Sequence, residues 1–60
     1  MRVVNVDKDM VFYYLKDNEN VYAFDTENDD VENLTDETVY EIHEILNNDK
    51  YVFFMIREDD

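Results

Sequence analysis

Met10–Lys16 reads MVFYYLK, a run that is apolar on both of its faces, and its assignment decides the fold. Taken as a strand, it follows Met1–Val6 (MRVVNV), a β-branched segment suited to a first strand, across the polar turn Asp7-Lys8-Asp9. Downstream, Asp17-Asn18-Glu19-Asn20 makes the next turn and Val21–Asp25 (VYAFD) a third strand. The chain contains no glycine, so positive-φ turn positions must fall on Asn or Asp, and Asn18, Asn20 and Asn28 are the expected ones.

Beyond an acidic loop at Thr26–Asn33, Thr35 has the position of a helix N-cap, with Asp36 and Glu37 in the first turn. Leu34 and Val39 stand at hydrophobic-staple spacing around it. Val39, Ile42 and Leu46, with Ile45 alongside, form an apolar stripe at helical period, and Asn47 or Asn48 can end the helix. Tyr51–Ile56 (YVFFMI) is the last and most hydrophobic strand, followed by the acidic end Glu58-Asp59-Asp60. The expected fold is a single α+β domain over residues 1–60, a two-layer β-β-β-α-β arrangement with a mainly antiparallel sheet and one helix. One helix covers one sheet face. The leftover apolar face then calls for a binding partner or, as the favoured occupant, a second copy of the chain in a homodimer.

The 60 residues include 17 acids and 5 bases, a formal net charge of −12. From Asp17 through Asp49 there are twelve acids and neither lysine nor arginine, while the rest of the chain balances five acids against five bases. Concentrated like charge opposes compaction, and its sign implies a positively charged partner. Hydrophobic residues are nonetheless 45% of the chain, too many for a disordered acidic tail. There is no cysteine, and no run of apolar residues long enough to span a membrane, which places the expected protein in the cytoplasm with no membrane partner.

Catalysis lacks parts: there is no Ser or Cys nucleophile, no glycine loop and a single His, His43, at the edge of the helix stripe. No enzyme activity and no cofactor are expected. Asp25, Glu27, Asp29, Asn33 and Asp36 partly resemble the oxygen spacing of an EF-hand, but Asp30 replaces the glycine of the sharp turn and Asp36 the longer bidentate Glu. Weak divalent binding is the most that pattern implies, with no dedicated metal site.

The acidic residues instead suggest a mimic of phosphates. Glu37, Glu41 and Glu44 line the helix face opposite the stripe, with Tyr40 between them and Asp36 at the start. At helical rise they would lie about 6 and 4.5 Å apart along the axis, comparable to phosphate spacing. Asp25, Glu27, Asp29, Asp30 and Glu32 extend the row from the loop, and Tyr40 and Tyr22 would pack against basic side-chain stems. Ordinary exposed helices mix both signs, which this segment does not.

Size, acidity and a rigid acidic face together resemble small viral nucleic-acid mimics: anti-CRISPR and anti-restriction proteins and inhibitors of uracil-DNA glycosylase. The lack of Gly, Pro, Ser, Gln, Cys and Trp also resembles coding by an AT-rich genome, as in many bacteria and their phages. The resemblance is one of class and transfers no functional residue. It implies an anti-defence inhibitor acting in the host bacterial cell, most specifically an anti-CRISPR protein that blocks a basic DNA-binding groove without touching nucleic acid itself. The alternatives are an antitoxin or immunity protein capping a basic toxin nuclease, and a structural homodimer with no groove target.

Overall fold

The computed structural model describes residues 1–58. The expected acidic end at Asp59 and Asp60 lies outside them. The fold is α+β, a four-stranded antiparallel sheet with two helices on one face. Its strands are β1 (Arg2–Val6), β2 (Tyr22–Asp25), β3 (Asp30–Asn33) and β4 (Tyr51–Arg57), and its helices are α1 (Val11–Lys16) and α2 (Val39–Leu46). The sheet order is β1-β4-β2-β3. The helices therefore form two interleaved crossovers: α1 carries the chain from β1 to β2 across β4, and α2 from β3 to β4 across β2.

This corrects the β-β-β-α-β order. MVFYYLK is a helix, preceded by a 3-10 turn at Lys8–Met10. Val11 is fully buried, Tyr14 and Leu15 on the same helical face are half-buried, and Tyr13 points to solvent at 62% exposure. Only one residue of the run is β-branched, and seven residues are too few for the period to separate helix from strand. The turn after it is a helix end. Asn18 adopts φ 63, its N–H donates to the Leu15 carbonyl at 3.1 Å, and the Glu19 N–H donates to Tyr14 at 3.0 Å. These are the two bonds of a Schellman motif, with Asn where glycine usually stands.

Two further boundaries differ. The segment expected to be an acidic loop is a hairpin: β2 and β3 pair from Tyr22↔Asn33 to Asp25↔Asp30, and Asp29, rather than Asn20 or Asn28, takes the second positive φ, 57. Helix α2 is capped by Thr38, not Thr35. The Thr38 hydroxyl accepts from the Glu41 N–H at 3.1 Å and the Glu41 carboxylate accepts from the Thr38 N–H at 2.9 Å, a reciprocal capping box. Thr35 belongs to a 3-10 turn, Leu34–Asp36, whose Asn33 side chain accepts from the Thr35 N–H. The later start rotates Val39 out of the core to 63% exposure, while Ile42 remains buried.

Val6, Ala23, Phe53 and Met55 of the sheet pack against Val11, Val21, Leu34 and Ile42. Each fully buried Leu or Val side chain here contributes about 1.5–3 kcal/mol of apolar burial. Phe12 of α1 lies against His43 of α2, ring centres 4.9 Å apart, so the helices share one face of the sheet. Among the described residues no helix is long and apolar enough to cross a membrane.

The caps can be checked by substitution. Asn18→Val is expected to destabilise by about 1–2 kcal/mol, because a β-branched residue resists positive φ, whereas Asn18→Gly should match or exceed the parent. Equal stability of the Val and Gly variants in urea unfolding would contradict the left-handed helix end. Thr38→Ala should cost about 1 kcal/mol in the same assay.

Candidate functional site

Of the acids singled out by sequence, Asp25 is the one the fold turns inward. It is 5% exposed, at the end of β2. One carboxylate oxygen accepts from the N–H groups of Glu27 and Asn28 at 2.9 and 3.1 Å. The other accepts from the Asn28 side-chain amide at 2.9 Å and faces the Lys50 ammonium at 3.1 Å. The Asn28 amide above all, with Lys50 and the two backbone donors, holds the Asp25 carboxyl well below the usual carboxylate range, against the opposing effect of burial. The same contact raises Lys50 above its ordinary value. Lys50, the first base after the acidic block, is thus neutralised within the fold. Asp25 shapes the hairpin and is not available to a partner.

Four other glutamates converge. Glu32 on β3 and Glu37, Glu41 and Glu44 on the α2 side line a groove of about 310 Å³, floored by Ile45 and Tyr51. The sheet places Glu32 there because β3 is an edge strand that neither helix covers and alternation turns Glu32 to the helix side, opposite Ala23. Asp30, two residues earlier on the same side of β3, carries the acidic row toward the hairpin tip. Asp36 stands exposed beside Glu37.

Glu37 and Glu41 do not keep the phosphate-like separation that a continuous helix would impose. Glu37 precedes the cap in an extended conformation, φ −97 and ψ 155, and its carboxyl meets that of Glu41. A hydrogen bond that the protonated Glu37 carboxyl donates to Glu41 raises Glu37 above its ordinary value, helped by partial burial and by the charges of Glu41, Glu32 and Asp36. Glu41 is lowered, first by the Thr38 N–H and hydroxyl and then by Glu37. The proximity of the two carboxyls favours the protonated form of Glu37. Both groups line the open groove, with Glu41 exposed.

Glu27 and Asp29 sit exposed at the hairpin tip, away from the groove. Tyr40, 71% exposed, flanks Glu44 one turn earlier on α2. Tyr22 is on the opposite sheet face, stacked on Phe54 with ring centres 5.4 Å apart, and cannot serve the acids. The aromatic residue in the groove is Tyr51, whose phenol burial pushes upward, with Glu32 the next cause. Sequence reasoning missed it because only the pairing Asp25↔Tyr51 brings the start of β4 beside the acidic hairpin. Among the described residues no group of three or more His, Asp or Glu side chains is arranged to hold a metal ion.

The signs of the shifts lead to opposite pH effects. Asp25, lowered, contributes stability that is present above its ordinary value of 3.8 and lost as pH falls toward its depressed midpoint. Glu37, raised, imposes a penalty above its folded midpoint that is relieved as pH falls through that midpoint toward 4.5. Asp25→Ala should therefore lower the melting temperature at neutral pH and flatten its decline in acid. Glu37→Gln should raise the melting temperature at neutral pH. In a carboxyl NMR titration Glu37 should have a midpoint above 4.5 that drops in Glu41→Gln, which keeps the capping oxygen; an unchanged midpoint would exclude Glu41 as the cause of the shift.

No protein-family model, curated protein or solved structure matches this chain, and the acidic groove is defined by its own geometry and charge.

Proposed function

We propose that this protein is a nucleic-acid mimic that inhibits by occupying the basic nucleic-acid-binding groove of a host defence protein, with a CRISPR effector as the first candidate, in the cytoplasm of a bacterial host. The observation that carries this reading is the acidic groove itself. Glu32, Glu37, Glu41 and Glu44 face one another with no lysine or arginine anywhere from residue 17 to 49. Lys50, the first base after that segment, is committed to Asp25.

A partner's arginine entering the groove would offset the repulsion between Glu37 and Glu41 and bridge carboxylates in the geometry that guanidinium prefers. Tyr51 and Ile45 offer apolar surface to its stem. Asp30 and Asp36 would meet further basic residues along the rim, with Tyr40 beside Glu44, while Glu27 and Asp29 lie farther out at the hairpin tip. A protein groove built for phosphates supplies arginines and lysines in this density, and its bound counterions are released on contact. Inhibition is by competition for the groove, without chemistry.

The test is capture from host lysate by the parent and by Glu32→Lys/Glu37→Lys/Glu44→Lys, which leaves the Thr38–Glu41 cap intact. The parent should retain a basic nucleic-acid-binding protein, identified by mass spectrometry, with binding that weakens steeply as salt rises and that competes with that protein's nucleic acid. The triple variant should lose it. Retention of the same protein by the variant, with unchanged salt dependence, would refute the groove as the site. Capture of a toxin nuclease instead would move the protein to the immunity class.

A further inference from the structure

Among the described strand residues, the sheet face turned away from the helices carries no charged side chain. Alternation along the paired strands places Val3 and Asn5 of β1, Val52, Phe54 and Ile56 of β4, Tyr22 and Phe24 of β2, and Val31 and Asn33 of β3 on this side. Val3, Val31, Val52 and Ile56 are 61, 55, 51 and 38% exposed. More than a third of all residues in the chain are charged, so an uncharged face four strands wide is a marked exception.

We propose that this face is the interface of a homodimer, in which two sheets pack face to face and the two acidic grooves point outward. Charge selects the second copy as the occupant. Two chains of net charge −12 repel through any acidic surface, and a two-fold pairing of this face sets neutral against neutral while keeping α2 and β3's carboxylates on the far sides. Lipid is a poor alternative, because an anionic bilayer repels a molecule of net charge −12.

The area is adequate for a reversible dimer. Four strands about 4.8 Å apart and about five residues long at 3.4 Å each make a face of roughly 19 by 17 Å. Flat pairing would cover roughly 650 Å² in total by this planar measure, a small area in keeping with weak, reversible association. It would also bury the sheet on both sides, giving a chain with only eight buried hydrophobic residues a second core layer.

Salt separates this interface from the groove. Screening relieves repulsion between two acidic chains, so dimerisation should strengthen as salt rises from low to moderate concentration, where groove binding to a basic partner weakens. Sedimentation equilibrium of the parent, from low micromolar to near-millimolar protein, should show a monomer–dimer equilibrium with this salt response. Val52→Glu, beside Phe24 on this face, should weaken association by about a hundredfold or more with an unchanged circular dichroism spectrum. Val39→Glu, an equally exposed valine on α2, should leave association unaltered. A parent that stays monomeric throughout overturns the proposal and leaves the face to a different protein. A Val52→Glu chain that still dimerises also overturns it, in favour of edge pairing through β1. The parent's mass alone decides the matter should Val52→Glu fail to fold.

Discussion

Lys50 reaches from the start of β4 to the Asp25 carboxylate at the end of β2, 3.1 Å away, and its carbonyl accepts from both the N–H and the hydroxyl of Thr26. These contacts join the two central strands at the point where the acidic hairpin begins. Removing one partner of a buried ion pair leaves the other charge uncompensated, so the geometry of the turn depends on both. The contact has a second consequence. It commits the first base after the acidic block, and Glu32, Glu37, Glu41 and Glu44 line a groove with no lysine or arginine among its lining residues.

Strand order turns that local fact into a molecular asymmetry. β1 and β3 occupy opposite edges. The half built from β2, β3 and α2 holds the base-free segment, and the half built from β1, α1 and the end of β4 holds Arg2, Lys8, Lys16 and Arg57, with Arg57 paired to Glu19 at 3.0 Å. Charges on β3 also discourage strand addition at that edge. The helices cover one sheet face and leave the other neutral and apolar. Two surfaces of different chemistry result, one acidic and one apolar.

Much of this was legible in the residues. The β-branched run of β1, the alternating hydrophobics of β4, and the stripe of Ile42, Ile45 and Leu46 declared their elements, and Asn18 declared a left-handed turn. The class α+β followed from them. MVFYYLK was misread because a short run apolar on every side satisfies both periods, and Asn18 suits a helix end as well as a hairpin. The edge strand Asp30–Asn33 was hidden because three of its four residues are polar and its pairing is made by backbone. Thr38-Val39-Tyr40-Glu41 was a readable capping box, passed over in favour of Thr35, whose third following residue is not a Glu or Gln. At the site, charge identified the acids, but only tertiary pairing could remove Asp25 from the surface, bring Tyr51 into the groove and press Glu37 against Glu41.

The central claim is that the four-glutamate groove is an unneutralised seat for a basic side chain. The most direct measurement is an NMR titration of the ¹⁵N-labelled protein with a short arginine-rich peptide. The account expects shifts concentrated at Glu32, Glu37, Glu41, Glu44 and Tyr51, saturating together and abolished by high salt. Shifts spread evenly over all the acids, or centred on the hairpin tip at Glu27 and Asp29, would contradict it.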